Sequence, residues 1–377
     1  MKKSILLLTM TFTITHTASA FIFQTAASFI AYQQNVPDPR PFTMPEGYVC
    51  QRTKKPILID GKLDKKAWKK TKWTGYFVDI EGKDHTKPLF KTRAKMLWDD
   101  NYFYIAAELE DPHVWATLTE KNSVIFNDND FEVFIDPDGD SHHYYEFEMN
   151  ALNTIWNLFL ERPYKNGVTA KIRDMPNLKT AVHVNGTLND PTDIDKGWTL
   201  EIAFAWKDLA QHAHTNCPPK DGDYWRVDFS RVQWRYRIKD GKYIRVPSPE
   251  ERTETWQEDN WVWSPQGVIS MHRPETWGYV QFSKKPAGKK VPFRPDPSAH
   301  ARYILHQIHY AQAKYHAVHN KYAQTLAELQ LENIDHKSLA APIRMKVDND
   351  TYKLTATIKY PNQKIKKLTI TPDARIK

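Results

Sequence analysis

The chain is poor in cysteine and glycine. Only two cysteines, Cys50 and Cys217, occur in 377 residues, which excludes a disulfide-stapled scaffold. Two thiols so far apart in sequence make no zinc site by themselves. In an oxidising compartment they can pair with each other, and spacing alone leaves that open. Glycine numbers 13 against 24 prolines. That scarcity argues against Gly-rich phosphate-binding loops, and the prolines argue for turns and sheet edges. Beyond the N-terminal stretch, no run approaches the roughly 20 apolar residues of a bilayer span. The net charge is +8. Much of it lies in Lys62, Lys65, Lys66, Lys69, Lys70 and Lys72, and in Lys284, Lys285, Lys289 and Lys290. Neither cluster interleaves with aromatics as single-strand nucleic-acid binding requires, so no nucleic-acid partner is expected. Solvated lysines are the plain reading. Attraction to acidic polysaccharide or an anionic membrane surface is the other.

Aromatics, in contrast, are abundant: 13 Trp and 18 Tyr exceed what a core alone needs. The first twenty residues read as a cleavable secretory signal. Lys2 and Lys3 supply the basic start, Ile5 to Ile14 a short apolar stretch, and Ala18-Ser19-Ala20 the small-residue cleavage site. No cysteine follows directly, so no lipid anchor is implied. The expected location is exported: periplasm, cell surface or medium, with no transmembrane span after cleavage.

Residues 21–49 form an N-terminal segment. From Pro56 to about Ser283 the residues alternate in the manner of strands. Thr92 to Trp98 and Tyr102 to Leu109, joined by Asp99-Asp100-Asn101, predict a hairpin. Further strands are expected at Phe131–Ile135, Tyr144–Leu160, Trp198–Phe204, Trp225–Trp234 and Tyr279–Phe282. Many short strands between turn signals indicate an all-β antiparallel sandwich over residues 50–283. Residues 284–297 (KKPAGKKVPFRPDP) read as a linker. In the tail, residues 298–377, Ile304, Ile308, Ala311, Tyr315, Val318 and Tyr322 form one helical stripe. A second short helix is expected near Thr325 to Leu331. A hairpin at Met345–Val347 and Tyr352–Ile358, with a third strand near Lys367 to Ile370, completes a small C-terminal α+β unit. Its protein partner is left open. His306, His309, His316 and His319 are expected at the surface.

The stretch Asn127 to Asp136 is the most informative. Alternation places Phe131, Val133 and Ile135 on the core face and Asp130, Glu132 and Phe134 on the other. The next strand repeats the scheme, with Tyr145, Phe147 and Met149 inward and Glu146, Glu148 and Asn150 opposite, followed by Trp156. Carboxylates beside aromatics suit sugars: the acid accepts hydroxyl hydrogen bonds and the ring packs on C–H surface. Trp256, Trp261 and Trp263 crowd one stretch, and exposure of some of them is expected. Asp136, Asp138 and Asp140 do not fit an EF-hand, because Gly139 falls at position four rather than six. They read as an acidic turn.

Ile57-Leu58-Ile59-Asp60-Gly61-Lys62-Leu63-Asp64 with Ala67-Trp68, Lys95 to Ile105, Asp130 to Asp136, Trp198 to Ala205, and Trp277 to Phe282 follow in an order and spacing that resemble family 9 carbohydrate-binding modules. The resemblance spans roughly residues 50–283. It implies a jelly-roll sandwich, glucose- or xylose-type sugars held between aromatic side chains, and bound structural calcium. Glu132 matches a sugar-contacting acid, and Phe126 stands where the family places a stacking tryptophan. The second stacking position falls near Met271, where Trp263 or His272 can substitute. Glu148 replaces an arginine. The candidate sugar-binding set is Trp98, Phe126, Asp130, Glu132, Glu148, Asn150, Trp156, Trp263, Met271, His272 and Arg273, with no catalytic residue. The expected function is non-catalytic binding of poly- or oligosaccharide in carbohydrate catabolism. Two alternatives stand beside it. One is a glycoside hydrolase using Glu132 and Glu148. Against that, acids on a wet sheet face keep ordinary pKa values. The other is a surface assembly protein whose sugar site has decayed.

Overall fold

The computed structural model describes residues 43–164, 169–246, 258–334, 336–348 and 350–377. The predicted signal and Trp256 lie outside these. The strands are β1 (Gly47–Arg52), β2 (Val78–Asp79), β3 (Thr92–Trp98), β4 (Tyr102–Leu109), β5 (Asp130–Asp136), β6 (Tyr144–Asn150), β7 (Ile155–Leu160), β8 (Lys171–Ile172), β9 (Lys179–Val184), β10 (Trp198–Ala205), β11 (Tyr224–Gln233), β12 (Arg235–Lys239), β13 (Lys242–Val246), β14 (Asp259–Val262) and β15 (Gly278–Pro286). The C-terminal unit adds β16 (Ala341–Asp348), β17 (Thr351–Lys359) and β18 (Ile365–Ile370). Two short helices, α1 (Lys66–Lys70) and α2 (Trp206–Leu209), precede the long α3 (Ala299–His319).

Among the described residues, thirteen strands join one sheet along the path β8-β7-β6-β5-β11-β15-β1-β3-β4-β10-β9, with β14 on β11 and β2 on β14. The sheet curls into a sandwich. Phe131, Val133 and Ile135 of β5 and Phe147 and Met149 of β6 meet Met96, Ile105 and Ile202 in one core, as the alternation predicts. The pairing is antiparallel except at β1, which runs parallel to both β15 and β3. Cys50 on β1 and Cys217 are both free thiols.

Trp261 and Trp263 are buried in this core, not on a platform. Trp261 faces Arg231 across the β11–β14 ladder, and Trp263 packs on Phe229. Gly61 in the first motif has φ +81, and a Cβ there would sit 2.5 Å from the Val182 backbone, so the close approach of this turn to β9 requires glycine.

The linker is tied down. Tyr224 donates its hydroxyl to the Arg294 carbonyl, and the Arg294 amide donates to Gln281. In the C-terminal unit α3 packs on the three-stranded sheet β16-β17-β18 through Ile304, Leu305, Ile308, Tyr352, Leu354 and Leu368. The apolar stripe ends earlier than its sequence spacing suggests: Val318 is 76% exposed. The expected second helix is a single turn. The Glu328 carboxylate caps the Gln324 and Thr325 amides, but Gln330 turns left-handed at φ 58 and ends it. His306 and His309, expected at the surface, are buried instead. His309 Nδ1 lies 2.6 Å from the Tyr352 hydroxyl, because the helix face that carries it is the one covering the sheet.

Candidate functional site

The second face of β5 continues across the sheet. In register, Trp156 stands opposite Glu148, Glu148 opposite Glu132, Glu132 opposite Ser230, and Ser230 opposite Val262. The next rank pairs Leu158 with Glu146 and Glu146 with Phe134. Directly opposed Cβ atoms in such ladders lie about 4.5–5.5 Å apart. A strip of carboxylates thus crosses β5 and β6 with an indole at one end.

This face is not open. Phe126, Met271, Trp277 and Tyr164 lie over it with Ile125, Phe134, Tyr144 and Trp156 in one apolar cluster. Asp130, Glu132, Glu146 and Glu148 are at most 5% exposed. The expectation of a wet face with ordinary acids is therefore overturned. Segment 117–128, just before β5, and segment 264–277, remote in sequence, fold over the strip and desolvate it. Burial pushes Glu132 up to about 8, opposed by the neighbouring Ser230 hydroxyl and helped by the charge of Glu258. Asp130, Glu146 and Glu148 also rise well above the usual carboxylate range, through burial first and Glu132's charge second.

Glu148 accepts the Phe126 amide at 3.0 Å, which fixes that ring at 6.4 Å from Trp156. Asn150 is fully engaged. Its amide donates to the Leu118 carbonyl and Asp128, and its oxygen accepts the Leu152 and Thr154 amides. It anchors the cover. His272 packs edge-on to Phe134 and Tyr164, with Nδ1 at 2.9 Å from the Tyr144 hydroxyl and Nε2 at 4.0 Å from Glu146. Burial lowers its pKa to about 3, so it is neutral there.

The structure thus brings together Phe126, Asp130, Glu132, Glu148, Asn150, Trp156, Met271 and His272. Trp98 and Trp263 stand apart, in the core; Trp98 donates its indole N–H to the Ser283 carbonyl. Arg273 lies with its guanidinium 4.9 Å from the Tyr310 ring of α3, a contact with the C-terminal unit. Glu146, Ser230 and Asn260 share the face and were not in the sequence-derived set. Alternation from Glu148 reveals Glu146. Ser230 and Asn260 need the non-local register of β11 and β14.

One oxygen each of Asp130, Glu132 and Glu148 lie within 4.8 Å of one another, close enough to share a cation. Asp136, Asp138 and Asp140 offer a similar group, but its oxygens are engaged. Asp136 accepts the Gly139 and Ser141 amides, and Asp140 accepts the His142 amide and pairs with Arg375 at 2.5 Å. That turn fits calcium poorly. Hollows of about 320 Å³ beside Arg52 and Asp100 and about 220 Å³ beside Asp138, Arg226 and Arg302 are lined by none of the candidate sugar-binding residues.

Residues 59–218 match the family described as carbohydrate family 9 binding domain-like. Endo-1,4-beta-xylanase C of Paenibacillus barcinonensis is 34% identical over 88 residues, 23% of this chain and 7% of that protein. Endo-1,4-beta-xylanase A of Thermotoga maritima is 27% identical over 163 residues, 42% of this chain and 13% of that protein. The chain thus spans a small part of the curated relatives it matches. Among solved structures, a putative carbohydrate-binding protein from Bacteroides uniformis has a TM-score of 0.46 at 15% identity, covering 63% of this chain and all of that one. A family 9 carbohydrate-binding module from Caldicellulosiruptor kristjanssonii in complex with cellotriose has a TM-score of 0.37 at 16% identity, covering 66% and all of that chain.

Proposed function

We propose that the chain is an exported, non-catalytic carbohydrate-binding protein. It takes poly- or oligosaccharide on the acid-lined face, through Phe126, Trp156, Glu132, Glu148, Asp130, Met271 and His272. The supporting observation is a set of buried polar atoms on or beside that face with no hydrogen-bond partner among the described residues: Asp130 Oδ2, Glu146 Oε2, Asn260 Nδ2 and the Trp156 indole N–H. Such atoms cost free energy when buried unpaired. Sugar hydroxyls, which both donate and accept, would satisfy them while the pyranose rests on Trp156 and Phe126. Entry requires the Phe126 and Met271 segments to part. The match of residues 59–218 to the carbohydrate family 9 binding domain-like family supports this reading, and the N-terminal signal pattern supports export. Among the described residues no helix is long and apolar enough to cross a membrane.

A glycan array that includes cello- and xylo-oligosaccharides, probed with the full chain and with Glu132→Ala, tests it. The wild type should bind a glycan and the variant should lose at least about tenfold in affinity, roughly one hydrogen bond. No glycan bound by the wild type ends the proposal. Equal binding by both moves the site elsewhere.

The close, desolvated pairing of Glu132 and Glu148 favours one second reading, a retaining glycoside hydrolase whose nucleophile and acid/base carboxyls sit about 5 Å apart. It requires release of aryl alcohol from aryl glycosides, abolished in Glu132→Gln and Glu148→Gln.

A further inference from the structure

Positive charge is concentrated at one end of the chain. Residues 341–377 hold nine Lys and Arg against three Asp, so about a tenth of the sequence carries six of its eight net charges. Placement sharpens this. β17 turns Tyr352, Leu354, Ala356 and Ile358 toward α3 and Lys353 and Lys359 the other way. Register sets Arg344 opposite Thr355, Lys346 opposite Lys353, and Lys367 opposite Thr357. Arg344, Lys346, Lys353, Lys359 and Lys367 therefore share the outer face of the C-terminal sheet, and all five are exposed; Asp348, opposite Thr351, is an acid at the rim of the same face.

Some cations elsewhere in the molecule are paired with carboxylates. Lys65 pairs with Glu201 at 2.7 Å, Arg93 with Glu108 at 2.6 Å and Arg235 with Asp259 at 2.6 Å. Among the described residues none of the five on this face makes an ion pair. Lys346 and Lys353 even oppose each other across the ladder, where like charges destabilise a sheet and an acid would stabilise it. A face kept cationic at that cost is complementary to a polyanion.

We propose that this face binds an acidic polysaccharide, a glycan bearing carboxylate groups. The residues between the cations decide among polyanions. Thr351, Thr355, Thr357 and Thr369 lie on the same face, and their hydroxyls can hydrogen-bond sugar hydroxyls and carboxylates. Single-stranded nucleic acid calls for aromatic stacking platforms, and a bilayer for large apolar side chains. The outer face offers only Ile365 in that respect.

The test titrates the full chain with polygalacturonate, and in parallel with a neutral xyloglucan, a single-stranded oligonucleotide and vesicles containing anionic lipid. Polygalacturonate should bind, and weaken at least about tenfold from about 50 to about 200 mM salt. Lys346→Glu, which places an acid opposite Lys353 and so should fold at least as well, and the double variant Lys346→Ser/Lys353→Ser should each lose about tenfold or more. Neutral-glycan binding by the acid-lined face should be the same in all three proteins, so the two surfaces are read separately. No binding of polygalacturonate at low salt overturns the proposal. So does equal binding by the variants, or tighter binding of the oligonucleotide or the vesicles.

Discussion

Glu132 sits where four carboxylates crowd a desolvated strip, and its titration follows from that position. Ionising all of Asp130, Glu132, Glu146 and Glu148 together would leave several uncompensated buried charges. Burial accordingly holds Glu132 protonated until about pH 8 in the folded chain, against 4.5 in an ordinary glutamate. Between those values the unfolded chain has already released a proton that the folded one keeps. The folded state therefore binds more protons, and its stability falls as pH rises from about 4.5 to 8. Below 4.5 this contribution is fully present. Glu132→Gln has no such proton, so its stability should decline less steeply over the window, by up to about 1.4 kcal/mol per pH unit. Urea denaturation of both proteins between pH 5 and pH 8 checks this. Parallel slopes would mean that Glu132 is ionised throughout.

One carboxylate joins several elements. Glu201, fully buried on β10, accepts the Trp68 indole N–H at 2.7 Å and the Asp60 and Gly61 amides at 2.9 Å, and pairs with Lys65. It fastens the Asp60–Trp68 segment, the first motif of the sequence resemblance, to the sheet. Glu201→Ala strands three donors and should cost about 3 kcal/mol or more, read as a lower denaturation midpoint at unchanged slope. A loss under about 1 kcal/mol would show that Trp68 packing alone holds the segment. The motif was legible in sequence, but Glu201 as its anchor was not, because β10 lies some 140 residues away. The same divide runs through the candidate site. The alternation of Phe131, Val133 and Ile135 against Asp130 and Glu132 is local and readable. The burial of the acids is set by Met271, which arrives from far along the chain, and by the way the segment just before β5, with Phe126, folds back over the strip. Trp263 illustrates the converse error: an indole next to turn residues looks exposed until Phe229 and Tyr48 are seen packed on it.

At the scale of the whole molecule, the acidic turn after β5 serves as the seat of the C-terminal unit. Arg375 pairs with Asp140 at 2.5 Å, and the Ile376 amide donates to the Asp140 carbonyl at 3.1 Å. His142 Nε2 lies 2.8 Å from the Asp373 carbonyl, and Arg302 of α3 donates to the Gly139 carbonyl at 2.7 Å. Asp138, pushed up to about 6 by burial and by Asp140's charge, marks how much negative charge collects there. Arg375 is the cation that the C-terminal unit itself supplies to Asp140. The pair is partly exposed, so its direct worth is about 1 kcal/mol or less, too little to unfold either unit. Its removal should instead loosen the contact. In Arg375→Ala, amide hydrogen exchange should quicken at Ile376 and across Gly139–Ser141, while amides of β5 and the middle of α3 keep their protection. If exchange is unchanged, the backbone bonds of Ile376 and the Arg302 contact hold the units together, and the charge pair is incidental. If β5 loses protection as well, the turn and the strand open as one cooperative element, and the C-terminal unit is then part of what keeps the acid-lined face in place.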